Sequence, residues 1–121
     1  MRLIERDELK AKLDRGDDVK LVMVLGDRAF RIKHIPGSIN IFAPQLPSPL
    51  LDRDDDIVVY CTNPSCIASI YAHDLLTARG FKRVRRYAGG VEEWEGAGYP
   101  IEGELGSSST SIRGSRTLEA A

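Results

Sequence analysis

Runs of consecutive apolar residues alternate along the chain with stretches whose apolar positions recur every three or four residues. Lys20-Leu21-Val22-Met23-Val24-Leu25 is continuous enough to predict a strand covered on both faces, and Ile57-Val58-Val59-Tyr60 reads the same way, as the central strand. Shorter strands are expected at Leu3-Ile4, at Ile39-Asn40-Ile41, and from Phe81 and Val84 to near Tyr87. Between them the spacing predicts a helix over 5–15, with Leu9 and Leu13 on one face and Gly16 as its stop. A short helix over 28–33 would turn Ala29, Phe30 and Ile32 inward. A longer one over 67–78 would bury Ile67, Ile70, Tyr71, Leu75 and Ala78 and end at Gly80. Pro44, Pro47 and Pro49 constrain a loop with one helical turn expected around 46–51. Gly89-Gly90 turns the chain into a last helix from Val91 to about Ala97, anchored by Trp94; Trp94 and Phe30 are the expected aromatic core anchors. Strands alternating with helices give an α/β domain, a sheet with covering helices.

Length and charge narrow the function classes. At 121 residues the chain can bury a core without disulfides or metal. A formal net charge of −1 argues against general nucleic-acid binding and gives no membrane-surface signal. No apolar run reaches transmembrane length, and residues 1–7 carry no apolar signal-peptide core. Two cysteines are too few for a disulfide scaffold, so a cytoplasmic protein with reduced thiols is the expectation. Past Ile101 the composition turns to Gly106-Ser107-Ser108-Ser109-Thr110-Ser111. This predicts a domain over 1–102 and a flexible Ser/Gly-rich tail over 103–121.

The chemistry centres on Cys61, which follows the central strand at once and precedes a helix. In an open parallel sheet ligands bind where strands end, and helix N-termini there favour negative charge. A thiol at such a point is set up to be a thiolate nucleophile. The loop Thr62, Asn63, Pro64, Ser65, Cys66, Ile67, Ala68 and Ser69 would offer backbone N–H donors around the sulfur. Cys66 is a candidate second thiol: a resolving partner for Cys61, a second sulfur carrier, the main nucleophile itself, or a small residue packed under the loop. Arg86 and Arg85 are the candidate substrate cations; alternation sends them to opposite faces, and a solvated strand-end arginine is the default for each. The basic stretch Lys82, Arg83, Arg85 and Arg86 could dock an acidic partner, with a solvated edge as the default. His34, beside Pro36-Gly37, reads as a structural imidazole, and His73 as exposed surface. The Cys-x4-Cys spacing suits no zinc knuckle, and no cofactor or metal is expected.

His34-Ile35-Pro36-Gly37-Ser38-Ile39-Asn40, the strand-borne Cys61, Tyr87-Ala88-Gly89-Gly90-Val91-Glu92-Glu93-Trp94 and Gly98-Tyr99-Pro100-Ile101 occur in this order. The set resembles a single-domain rhodanese over about residues 2–102. The resemblance implies a central, mainly parallel five-stranded sheet with helices on both faces. It further implies sulfur transfer through a persulfide on Cys61, with thiosulfate or a persulfide as donor and a thiol or protein as acceptor. Two features depart from the family. Seven residues separate Cys61 from Ser69 where active members have five, and Ala68 stands where they carry the loop arginine. The strand before His34 reads Met23-Val24-Leu25 in place of Asp-x-Arg. A weakly catalytic rhodanese-like binding module therefore stands as an alternative, as does a thiol–disulfide protein using Cys61 and Cys66. A cysteine phosphatase is disfavoured, because no arginine lies between Cys61 and Ser69 to clamp phosphate.

Overall fold

The computed structural model describes residues 1–105. Four parallel strands, β1 (Val19–Met23), β2 (Ile39–Asn40), β3 (Asp56–Tyr60) and β4 (Arg83–Tyr87), lie in the order β2-β1-β3-β4. Four α-helices accompany them: α1 (Arg6–Arg15), α2 (Asp27–Ile32), α3 (Ala68–Ala78) and α4 (Gly90–Gly96). The expected fifth strand is reduced to one bridge, Leu3 beside Arg86 in the parallel sense. The Arg86 amide donates to the Arg2 carbonyl at 2.8 Å and the Ile4 amide to the Arg86 carbonyl at 3.0 Å. Glu5, the N-cap of α1, follows almost at once, so the chain leaves the sheet before a second pair forms.

Strand alternation divides the core into two layers. Val22, Ile57, Val59 and Val84 face α3, packing with Ala72, Leu76 and Phe81. Leu21, Met23, Val58, Tyr60 and Tyr87 face the other side, packing with Leu9, Val91 and Trp94. The continuous apolar runs of β1 and β3 have this cause: both faces of the central strands are covered.

Three local expectations change. The single helical turn in the proline-rich loop is a 3-10 turn at Ala43–Gln45, upstream of 46–51, which holds only a hydrogen-bonded turn from Leu51 to Ser48. Helix α3 is rotated from the predicted face: Ser69, Ala72, His73 and Leu76 are buried, while Ile67 and Tyr71 are exposed. The two stripes share one period, and the helix turns its small residues, Ser69 and Ala72, to the sheet for close packing. Phe30 is only partly buried, its ring stacked on His34 at a centroid distance of 3.8 Å.

Residues 103–105, placed in the expected tail, are held against α2. Glu104 and Leu105 donate backbone hydrogen bonds to the carbonyls of Arg31 and Ile32, at 2.8 and 2.9 Å. The rest of that predicted tail, 106–121, lies outside the described residues.

Tyr60, at the end of β3, ties the His34–Ser38 turn to the sheet. Its hydroxyl accepts the Ile35 amide at 3.0 Å and bonds the Ser38 hydroxyl at 2.8 Å. Burial pushes the phenol up to about 12, against the opposing pull of its hydrogen bonds to Ser38 and Ile35. A phenol raised above its unfolded value of about 10 favours the native state below pH ~10, and that contribution is lost as pH rises from ~10 through ~12. Urea denaturation should therefore show stability falling over this window, by about 2–3 kcal/mol from Tyr60 alone. Tyr60→Phe should flatten that slope. It should also lower stability at pH 7 by about 1–3 kcal/mol, because the Ile35 amide loses its acceptor. An unchanged alkaline slope in the variant would refute this assignment.

Candidate active site

Cys61 follows β3 directly and, by alternation, faces α3 with Ile57 and Val59. It is 1% exposed. The strand end is held from the α4 side by backbone alone: the Val91 and Glu92 amides donate to the Cys61 and Thr62 carbonyls, each at 3.0 Å. Gly90 permits this approach. Its φ is +68°, and a Cβ there would lie 2.5 Å from the Cys61 carbonyl oxygen. Gly90 thus lets α4 approach the loop backbone at Cys61 and Thr62.

Asn63 folds the loop on itself. Its side-chain oxygen accepts the Ser65 amide at 3.0 Å, its carbonyl accepts the Cys66 amide at 3.1 Å, and its Nδ2 donates to Glu92 at 3.3 Å. The amides of Ser65 and Cys66, expected to surround the sulfur, are engaged within the loop. The Cys61 sulfur instead meets the Ser69 hydroxyl at 3.4 Å and the Cys66 carbonyl oxygen at 3.7 Å. It is also bonded to the Cys66 sulfur, with the two Cα atoms 6.5 Å apart, inside the range a disulfide spans without backbone movement. Reduced thiols were the expectation; the structure joins them, taking up the alternative in which Cys66 is a partner for Cys61.

Of the two candidate cations, Arg86 is the one that lies against the loop. Its register partner in β3 is Val59, and it shares the α3-facing side with Val84. Only 7% exposed, it donates from Nε to Ser69 Oγ at 2.8 Å, and from Nη2 to the Pro64 and Cys66 carbonyls at 3.2 and 3.5 Å. Because Ser69 Oγ accepts from Arg86, its own hydrogen can point to the Cys61 sulfur. Among the described residues no carboxylate forms an ion pair with Arg86. The solvated default fails for this residue: the guanidinium is buried under the loop, and its Nε and Nη2 meet only neutral oxygens.

Arg85 turns to the opposite face and pairs with Glu8 at 3.1 Å and Asp56 at 3.3 Å. Arg83 donates to the Asp54 carbonyl, and Lys82 lies 3.7 Å from the Asp54 carboxylate. The basic stretch is therefore divided among internal partners and makes no continuous docking surface. His34 is structural in its contacts, Nδ1 lying 2.7 Å from the Phe30 carbonyl oxygen and Nε2 3.4 Å from Glu102. His73 is buried, not exposed: the Arg2 amide donates to its Nε2 at 3.3 Å, and its Nδ1 lies 2.9 Å from Asp74. Among the described residues no group of three or more His, Cys, Asp or Glu could hold a metal ion. Beside the loop, between α2 and α4, opens a cleft of about 240 Å³ lined in part by Met23, Ile32, Lys33, Thr62 and Glu95.

A match to the family described as Rhodanese-like domain spans residues 5–97. The chain belongs to this family. Among solved structures, the BH2092 protein from Bacillus halodurans is similar at 27% identity and a TM-score of 0.80, over 87% of this chain and 79% of that one. The Rhodanese-like domain of the Alr3790 protein from Anabaena sp. superposes at a TM-score of 0.77 and 24% identity, over 98% and 95% of the two chains. A thiosulfate sulfurtransferase from Pseudomonas aeruginosa shares the fold, with a TM-score of 0.74 at 22% identity, over 91% of this chain and 21% of that one. No curated protein matches the chain. No helix among the described residues is long and apolar enough to cross a membrane.

Gly90 gives the rhodanese-like site its sharpest mechanical test. Gly90→Ala forces a side chain into left-handed backbone and against two carbonyl groups of the loop, and should lower stability by about 2 kcal/mol or more. Gly96→Ala, whose Cβ would meet nothing within 4 Å, should leave stability within about 0.5 kcal/mol. Equal effects of the two in thermal or urea unfolding would contradict the clamp.

Proposed function

We propose that this rhodanese-like domain is a sulfurtransferase that moves sulfane sulfur from thiosulfate or a persulfide to a thiol or protein acceptor through a persulfide on Cys61. The observation that carries this reading is the buried Arg86 guanidinium, linked through Ser69 to the strand-end sulfur and unpaired with any carboxylate among the described residues. A buried cation without a counter-charge favours an anion beside it. In the reduced protein that anion is the Cys61 thiolate. The thiolate attacks the outer sulfur of thiosulfate, the sulfur–sulfur bond breaks, and sulfite leaves with the electron pair. Ser69, held by Arg86, then hydrogen-bonds the sulfur bearing the charge. Arg86 so takes the place of the missing loop arginine from the neighbouring strand; Arg85, on the opposite face, has no part in the site.

The reaction needs no metal or bound cofactor, nucleic acid or membrane. The setting we assign is the cytoplasm, where a disulfide between cysteines is catalytic or redox-sensing rather than structural. The bond between Cys61 and Cys66 favours one second reading, a thiol–disulfide protein that exchanges electrons with dithiols and takes no sulfur from thiosulfate.

Intact-mass measurement of reduced protein separates the two. With thiosulfate, Cys66→Ser should gain one sulfur atom, located on Cys61 by peptide mapping, and Cys61→Ser should gain none. Failure of Cys66→Ser to take up sulfur, or uptake on Cys66 in Cys61→Ser, would overturn the proposal.

A further inference from the structure

We infer that Cys66 is the acceptor of the second half-reaction: it resolves the Cys61 persulfide and discharges the sulfur as sulfide, making the domain a dithiol-dependent sulfide-releasing enzyme. This rests on the Cys61 persulfide reading above and adds to it the fate of the sulfur.

The geometry points to the inner sulfur of the persulfide as the atom attacked. Cys66 Sγ bonds Cys61 Sγ in the structure, and the backbone on each side is already fixed for that bond. The Cys61 carbonyl is held by α4, and the Cys66 amide and carbonyl are held by Asn63 and Arg86. Cys61 is buried among apolar side chains, whereas Cys66 is partly exposed in the loop. An outside acceptor must pass the loop to reach Cys61; Cys66 is already in place. Positioning of this kind replaces a bimolecular encounter with an intramolecular step.

The step balances without an unnamed reactant. The Cys66 thiolate attacks Cys61 Sγ, and a new sulfur–sulfur bond forms between the cysteines. The bond from Cys61 Sγ to the sulfane sulfur breaks, its electron pair leaving with that sulfur, which takes up the proton given up by the Cys66 thiol and departs as HS⁻. Two thiols are oxidised to a disulfide while the sulfane sulfur is reduced to sulfide. A dithiol reductant then attacks the more accessible Cys66 sulfur, restores both thiols and is itself left as a disulfide. Over one cycle, thiosulfate and a dithiol become sulfite, sulfide and the oxidised dithiol. The family's sulfur relay would thus end in a small diffusible product, with the disulfide as a resting intermediate of the cycle.

The test is an anaerobic single turnover of fully reduced protein, freed of reductant and mixed with thiosulfate. Wild type should release one sulfite and one sulfide per chain and finish as the Cys61–Cys66 disulfide with no added sulfur. Cys66→Ser should release sulfite, keep the sulfur on Cys61 and release no sulfide; Cys66→Ala serves if the serine variant does not fold. With dithiothreitol in excess, sulfide production by either variant should fall at least about tenfold below wild type. Wild type that retains the sulfur and yields no sulfide overturns this inference and leaves the Cys61 relay standing. Absence of sulfite release from both wild type and Cys66 variants overturns the relay as well. Disulfide formation without an equivalent of sulfide overturns the inference in favour of plain thiol–disulfide exchange.

Discussion

A buried guanidinium with no carboxylate partner among the described residues is the constraint around which this end of the sheet is organised. Removing an arginine from water costs several kcal/mol unless its hydrogens find acceptors. Arg86 finds three: Pro64 and Cys66 in the segment that joins β3 to α3, and Ser69 in the first turn of α3. The long loop is thereby pinned to β4 from below, while the amides of Val91 and Glu92 hold its first carbonyls from the α4 side. The backbone of Arg86 also carries the Leu3 bridge, so one residue links the chain's first segment, the last strand and the reactive loop. Its Nε and Nη2 find oxygen acceptors, but among the described residues no carboxylate balances its charge, and the anionic Cys61 proposed above would lie beside it.

Much of the architecture was legible in the sequence because its signal was redundant. The apolar runs of β1 and β3, the helix stops at Gly16 and Gly80, and Trp94 as an anchor each follow from local pattern alone. The face of α3 was not legible, because hydrophobicity marked Ile67 and Tyr71 while packing chose Ser69, Ala72 and His73. Two stripes of the same period compete there, and the buried one carries the small residues that pack closely on the sheet, with Ser69 accepting from Arg86. Leu3 failed as a strand because one bridge is all the chain makes before α1 begins.

The strand-end position of Cys61 was legible in the sequence, but which arginine lies beside the loop was not. Alternation alone put Arg85 and Arg86 on opposite faces. The deciding signal was parity: Arg86 is in step with Val84, whose side faces α3 and the loop, whereas Arg85 is in step with Tyr87. A charged residue in step with the core-facing residues of a strand is costly to bury, and that cost is why Arg86 enters the proposed site. The disulfide is a different matter, since a five-residue separation permits pairing without requiring it; the folding of the loop by Asn63 brings the sulfurs together.

The central claim is that Arg86, acting through Ser69, holds Cys61 as an anion. It is tested most directly by the pH dependence of iodoacetamide alkylation of Cys61 in reduced Cys66→Ser protein. The account predicts that reactivity persists to lower pH than that of a free cysteine. It also predicts that Ser69→Ala or Arg86→Met, each combined with Cys66→Ser, moves the profile to higher pH. A Cys61 profile matching that of free cysteine, and unmoved by either substitution in folded protein, would contradict it.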